Sequence, residues 1–97
     1  MKRISASRKK VDEIDDKILH LLKERVEVCR RIFAIKQEYG LPLRDSKREN
    51  EVYSHAMKEA SEFGLNQDEI KAIYKMIIAL CVHAEKLADK KAHPCLS

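Results

Sequence analysis

The apolar residues of the first forty positions recur at alternating spacings of three and four, the repeat of an α-helix with one buried face. The stripe consists of Val11, Ile14, Ile18, Leu21, Val28, Ile32, Ile35 and Tyr39. One member is missing between Leu21 and Val28, where Arg25 stands. The pattern predicts a helix over residues 5–39, ended by Gly40 with Pro42 shortly after it.

Two shorter helices are predicted in the second half of the chain. The first covers residues 45–63, with Asp45 as N-cap and Gly64 just past its end. The second begins at Asn66, with Glu69 as its capping-box partner, and runs to about residue 91. Phe63 is expected to be a core residue. The sequence therefore predicts an all-α fold of three helices in a single domain over residues 1–97.

The length of the first predicted helix bears on assembly. A helix over residues 5–39 is about 50 Å long, whereas a compact chain of this size has a radius of gyration of about 12–13 Å. The helix therefore overhangs any globule that three helices can form, and its apolar stripe continues along the overhang. A second copy of the chain would cover that stripe, which predicts an intertwined homodimeric helical bundle.

Composition narrows the classes of partner. The formal net charge of +4 favours anionic partners, but acids interrupt the basic residues almost everywhere. The one short basic run, Arg8 to Lys10, has no aromatic residue beside it, so we expect no nucleic-acid binding. No apolar run is long enough for a membrane span, and no signal peptide is recognised. Three widely spaced cysteines indicate reduced thiols and a cytoplasmic protein, and the histidines suggest no metal site.

Several charged residues fall on faces that the helical repeat assigns to the interior. Arg25 lies near the centre of the first helix's apolar stripe, and Lys36 lies within about 20° of it. Arg48 projects on the same side of the second helix as Val52. An unpaired buried charge costs several kcal/mol, so each needs a partner. One explanation is a set of interhelical ion pairs, for example Arg48 with Glu85.

The balance of these charges favours a second explanation. Cations on the apolar faces outnumber the anions Glu49 and Glu85, because Asp45 is occupied as an N-cap. A positive surplus suggests a pocket for a small anion with more than one negative group. Arg8 and Arg25 are 17 residues apart, about 25 Å along one helix. If both belong to one pocket, Arg8 must come from the second chain.

Three stretches carry a resemblance to a known family: RKKVDEIDDKILHLLKER at positions 8–25, AIK at 34–36 and LPLRDSKRE at 41–49. With their joint spacing, the chain resembles the all-helical (AroQ) class of chorismate mutases. The resemblance implies isomerisation of chorismate to prephenate by an intramolecular Claisen rearrangement, in phenylalanine and tyrosine biosynthesis. It implies no cofactor and no metal. The implied site residues are Arg8, Arg25, Ile32, Lys36, Asp45, Arg48, Glu49, Ile78, Cys81 and Glu85.

The resemblance also implies roles for the charged members. Arg25 and Arg8 of the partner subunit would clamp the two carboxylates of the substrate, and Lys36 would donate to the ether oxygen and to a carboxylate. Glu49 would accept from the ring hydroxyl group. Arg48 would complete the cationic wall of the pocket.

The remaining members would shape the pocket and adjust its polarity. The backbone N–H of Asp45 would lie near the ring hydroxyl, and Ile32 and Ile78 would pack on the apolar faces of the ligand. Cys81 stands where the family often has a serine or asparagine, and a thiol is a weaker donor. Glu85 stands where glutamine is common, and it can donate to the ether oxygen only when protonated.

Two other functions remain open at the level of sequence. An isochorismate pyruvate-lyase on the same fold would use nearly the same cationic pocket. A non-enzymatic helical dimerisation module would need the charges only for assembly.

Overall fold

Three α-helices account for almost all of the chain that the computed structural model describes, which is the backbone of residues 1–92 and the side chains of residues 1–86. They are α1 (Lys2–Glu38), α2 (Ser46–Glu62) and α3 (Gln67–Ala92). Residues 1–92 contain no strand, so the all-α prediction is confirmed. The predictions made for the tail after residue 92, including the thiol of Cys95, lie outside the described residues.

The first helix begins earlier than the sequence pattern predicts. The prediction placed its start at Ser5, but α1 begins at Lys2 with Met1 as N-cap. Ser5 is already inside the helix, because its backbone N–H donates to the carbonyl oxygen of Met1 at 3.1 Å. No residue between Met1 and Ser5 is a helix breaker, so the helix continues to the start of the chain.

Both glycines end a helix in the same way. Gly40 and Gly64 have φ angles of 64° and 73°, the left-handed conformation that glycine adopts without a steric penalty. The N–H of Leu41 donates to the carbonyl oxygen of Lys36, and the N–H of Leu65 to that of Ala60, each at 2.8 Å. These are Schellman motifs, and they confirm the two predicted helix ends.

Side-chain caps fix the starts of α2 and α3. The Asp45 carboxylate accepts the backbone N–H of Arg48 at 3.0 Å. The side-chain oxygen of Asn66 accepts the N–H of Glu69 at 2.9 Å. Each cap satisfies a donor that the first turn of a helix leaves unpaired. Both predicted N-caps are confirmed, and the first of them sets the orientation of the turn that carries Arg48 and Glu49.

The packed interior is small. Helix α3 packs against both α1 and α2. The buried apolar residues are Phe33, Ala56, Ala60, Cys81 and Ala84. The prediction that Phe63 is a core residue is wrong for the single chain. Its side chain is 70 % exposed because it is the C-cap of α2, where the chain turns away from the helix axis.

The N-terminal half of α1 extends beyond this interior. The radius of gyration is 17.4 Å and the longest dimension is 57 Å, well above the compact value of about 12–13 Å. Apolar side chains on the overhang, from Val11 to Leu21, are 45–63 % exposed. Among the described residues, no helix is both long enough and apolar enough to cross a membrane.

The left-handed conformation at Gly64 leads to a stability prediction. A Cβ atom at this position would meet no atom within 4 Å, so Gly64→Ala creates no steric clash with other residues. The substitution lowers stability only because alanine disfavours a positive φ angle. We expect a loss of about 1 kcal/mol in the free energy of unfolding, and a smaller loss for Gly64→Asn, because asparagine tolerates this region better. Urea unfolding at one fixed protein concentration measures both, and equal losses in the two variants would contradict the explanation.

Candidate functional site

A cavity of about 550 Å³ lies where the C-terminal half of α1 meets α2, α3 and the loop between α1 and α2. Nine of the ten residues selected from the sequence line it: Arg25, Ile32, Lys36, Asp45, Arg48, Glu49, Ile78, Cys81 and Glu85. The tenth, Arg8, is exposed on the overhanging half of α1 and does not line the cavity. Because α1 is one continuous helix, Arg8 cannot reach the cavity of its own chain.

One face of α1 forms a wall of this cavity. Arg25, Cys29, Ile32 and Lys36 all line it, and their spacings of four, three and four keep side chains on the same side of a helix. Cys29 is not among the residues selected from the sequence, although this spacing places it between two of them. Cys29 lies beside the stripe member Val28, and a cysteine in such a position is ordinarily read as a packing residue.

The Arg25 guanidinium is held by sulfur atoms. Its Nη1 lies 2.9 Å from Cys81 Sγ and 3.9 Å from Cys29 Sγ. Burial and a hydrogen bond with Cys81 raise the pKa of the Cys29 thiol to about 11, although the charge of Arg25 acts in the opposite direction. Cys29 is therefore a neutral thiol near pH 7. A neutral thiol orients a guanidinium without neutralising it.

Lys36 connects α1 to the loop that follows it. Its Nζ donates to the carbonyl oxygen of Leu43 at 3.2 Å. The Glu85 carboxyl lies near enough to feel the charge of Lys36, but burial is the larger effect and raises the pKa of Glu85 above its ordinary value of 4.5. The carboxyl group of Glu85 is therefore easier to protonate than an ordinary surface glutamate.

An arginine that was not selected from the sequence binds the Glu49 carboxylate. Arg44 Nε lies 3.1 Å from Oε1 of Glu49, and Arg44 Nη2 lies 3.4 Å from Oε2. This two-point contact fixes the direction of the carboxylate. Arg44 precedes the N-cap Asp45 and belongs to no helix, so a helical wheel could not place it. Its proximity to Glu49 depends on the loop conformation.

The interhelical ion pair considered for Arg48 is not formed. Arg48 Nη1 contacts Glu51 on the same helix at 3.4 Å and is largely exposed, whereas Glu85 lies on α3. A partner three residues away on a surface contributes little to stability. In the part of the chain that the structure describes, neither Arg25 nor Lys36 forms an ion pair with a carboxylate within 4.0 Å.

The charges that line the cavity do not balance. The cations are Arg25, Lys36, Arg44, Arg48 and Lys86, and the carboxylates are Asp45, Glu49 and Glu85. Asp45 accepts a backbone N–H, Glu49 is paired with Arg44, and the pKa of Glu85 is raised. The cavity is therefore suited to a small ligand with more than one negative charge. Among the described residues, no three His, Cys, Asp or Glu side chains are arranged to hold a metal ion.

Comparison with known proteins gives a consistent result over nearly the whole chain. Residues 7–86 match the family chorismate mutase type II. The chain is 35 % identical over 89 residues to a bifunctional chorismate mutase/prephenate dehydratase of Aquifex aeolicus, covering 89 % of this chain and 25 % of that protein. It is 32 % identical over 78 residues to a chorismate mutase of Methanocaldococcus jannaschii, covering 80 % of this chain and 79 % of that one. The chain thus spans a quarter of the first relative and most of the second.

A solved structure agrees with these relatives. The form II chorismate mutase from Thermus thermophilus superposes with a TM-score of 0.77 at 32 % sequence identity. The match covers 87 % of this chain and 94 % of that chain. The similarity therefore extends over the three helices that surround the cavity.

Proposed function

The chain belongs to the chorismate mutase type II family, and on that premise we propose that it isomerises chorismate to prephenate in phenylalanine and tyrosine biosynthesis. The observation that carries the proposal is the positive surplus of the cavity, with Arg25 and Lys36 free of carboxylate partners among the described residues. Chorismate is a dianion, and its rearrangement is intramolecular. The chain has to hold the substrate in a compact, chair-like shape and stabilise charge on the ether oxygen.

Arg25 provides the first fixed point for the substrate. Its guanidinium can exchange two sulfur contacts for a forked pair of hydrogen bonds to a carboxylate, which are stronger because both partners are charged. Lys36, 11 residues along the same helix, would donate to the ether oxygen and to a carboxylate. Charge that develops on the ether oxygen in the transition state would then meet an ammonium group already in place.

The ring of the substrate would lie against α2 and the apolar walls. Glu49, held by Arg44, would accept a hydrogen bond from the ring hydroxyl, with the backbone N–H of Asp45 nearby. Arg48 would complete the cationic side of the cavity. Ile32 and Ile78 line the cavity and would pack on the apolar faces of the ring.

Two residues of α3 would face the reacting end of the substrate. Glu85 would donate a hydrogen bond to the ether oxygen in its protonated form, which the raised pKa of its carboxyl group favours. The thiol of Cys81 would lie near a substrate carboxylate, as a weak donor already in contact with Arg25.

We propose that a second copy of the chain completes the site. Arg8 is too far along α1 to reach its own cavity, and the apolar overhang that carries it is exposed in the single chain. An intertwined homodimer would bury that overhang and bring Arg8 of the partner subunit to the substrate. We also place the protein in the cytoplasm, because Cys29 and Cys81 are free thiols that a reducing compartment would preserve.

The alternatives make different predictions about chemistry. The names of the similar proteins support a mutase rather than an isochorismate pyruvate-lyase or a non-enzymatic dimer. A lyase would release pyruvate from isochorismate, and a dimerisation module would convert neither compound. Incubation with chorismate and with isochorismate, followed by separation of the products, distinguishes the three functions.

Removing either central cation should abolish most of the activity without unfolding the protein. For Arg25→Ala and Lys36→Ala we expect kcat/KM for chorismate to fall by about 10²–10³-fold, because each removes a positively charged donor that would face the negative charge of the substrate. Chorismate depletion measures the activity and circular dichroism measures helix content. Lys75→Ala, at an exposed position of α3 away from the cavity, is the control and should retain activity.

The protonation of Glu85 should control the pH dependence. Its pKa is raised, so the donating form persists to a higher pH than for an ordinary glutamate, and activity should fall as pH rises through that pKa. The amide of Glu85→Gln donates at every pH and should flatten the profile. Turnover between about pH 5 and about pH 9 tests this, and a level profile for the unmodified protein would rule it out.

Sharing of Arg8 between subunits can be tested by complementation. Co-expression of Arg8→Ala and Arg25→Ala chains should give heterodimers in which one of the two sites is intact. Random pairing makes about half of the dimers heterodimers, so the mixture should have about a quarter of normal activity. Arg25→Ala with Lys36→Ala is the matched control, because both residues belong to the same chain's half of the site and no intact site forms. Equal activity in the two mixtures would contradict the shared site.

A further inference from the structure

Two thiols meet in the cavity at the junction of α1 and α3. Cys29 is half-buried on α1, and Cys81 is buried on α3. Both sulfur atoms are within 3.9 Å of the same atom, Nη1 of Arg25, which brings the two thiols to one side of the cavity. They are 52 positions apart in the sequence, so this proximity is a product of the tertiary fold.

Packing alone does not explain this pair. A buried thiol usually faces aliphatic side chains, whereas these two sulfurs share a guanidinium and line a cavity of about 550 Å³. That volume is large compared with a water molecule, which occupies about 30 Å³ in the liquid, so a molecule of the size of hydrogen peroxide can reach the sulfurs. The thiols are therefore close together, close to a charge and accessible from the cavity.

We propose that Cys29 and Cys81 form a site of reversible oxidative modification, closing to a disulfide that crosses from α1 to α3 when the protein meets a peroxide. Cys81, whose sulfur lies nearest the Arg25 guanidinium, gives up its proton and attacks the peroxide O–O bond as a thiolate; it becomes a sulfenic acid, and the hydroxide released takes up that proton as water. The thiol of Cys29 then attacks the sulfenic sulfur, the S–S bond forms, and the sulfenic hydroxyl leaves as water with the proton of the Cys29 thiol. Two thiols lose two electrons and two protons, and one peroxide is reduced to two water molecules.

The disulfide changes the surroundings of Arg25. An S–S bond is about 2.05 Å long, so both sulfurs must turn toward each other and cannot keep their present positions around Nη1. The thiol of Cys81 is also lost as a hydrogen-bond donor. Arg25 then loses the contacts that orient it before a ligand arrives, and preorganisation is what makes such a group effective. This consequence for turnover depends on the proposed mutase function, whereas the disulfide itself does not.

The test follows the disulfide and the activity separately. The full chain is treated with hydrogen peroxide, the remaining thiols are blocked, and the protein is digested with trypsin. We expect the peptides 26–30 and 76–86 to be joined, as mass spectrometry without reduction detects, and to separate on addition of dithiothreitol. In the same samples we expect kcat/KM for chorismate to be about tenfold lower and to recover with the reductant, since a tenfold change corresponds to ~1.4 kcal/mol.

Two variants serve as controls, each compared with its own reduced form. Cys29→Ser should lose both the joined peptides and the peroxide effect on kcat/KM, while Cys95→Ser should keep both. Three results after peroxide treatment would overturn the modification site. Peptides 26–30 and 76–86 could stay separate, either one could be joined to peptide 92–97, or Cys81 alone could be oxidised to a sulfinic acid. A joined pair with unchanged kcat/KM would overturn the effect on Arg25. The peptide map tests for the disulfide even if the protein does not convert chorismate.

Discussion

A guanidinium group held by sulfur rather than by a carboxylate is the interaction on which the cavity depends. Arg25 lies near the centre of the apolar stripe of α1, and its side-chain hydrogen bonds go to the sulfurs of Cys29 and Cys81. These contacts orient the side chain, but they leave its positive charge available. A carboxylate in the place of Cys81 would have made Arg25 part of a structural ion pair. The sulfur acceptors therefore keep Arg25 within the surplus of positive charge that lines the cavity.

The second constraint is the mismatch between the length of α1 and the size of the core. Helix α1 has 37 residues, whereas the buried apolar set consists mainly of alanines with one phenylalanine and one cysteine. Small side chains allow α2 and α3 to approach closely, but they bury little apolar area and so contribute little to stability. The apolar side chains on the overhang remain exposed in a single chain, so their burial contributes nothing to its stability. In the proposed homodimer, stability and the completion of the site by Arg8 would both depend on that surface, and therefore on protein concentration.

The sequence predicted local features well because their causes are local. Gly40, Gly64, Asp45 and Asn66 mark helix ends through backbone chemistry within a few residues, and all four predictions are confirmed. Nine candidate site residues share one cavity: helical spacing places Arg25, Lys36 and Arg48 on inward faces, and the family resemblance adds the apolar and polar residues around them. What could not be predicted depends on the path of the loop and on contacts between helices. Arg44 is the clearest case, since its contact with Glu49 requires a turn that no periodicity encodes.

The hydrogen bond from Lys36 Nζ to the carbonyl oxygen of Leu43 ties a side chain of the cavity wall to the loop between α1 and α2. The ammonium group that anchors the interhelical loop would, in the proposed function, also donate to the bound ligand. A single Nζ with three protons can satisfy both acceptors only if the ligand oxygen and the loop carbonyl lie on different sides of it. On the proposed function, the loop between α1 and α2 would therefore influence ligand binding through Lys36, even where its residues do not touch the bound molecule.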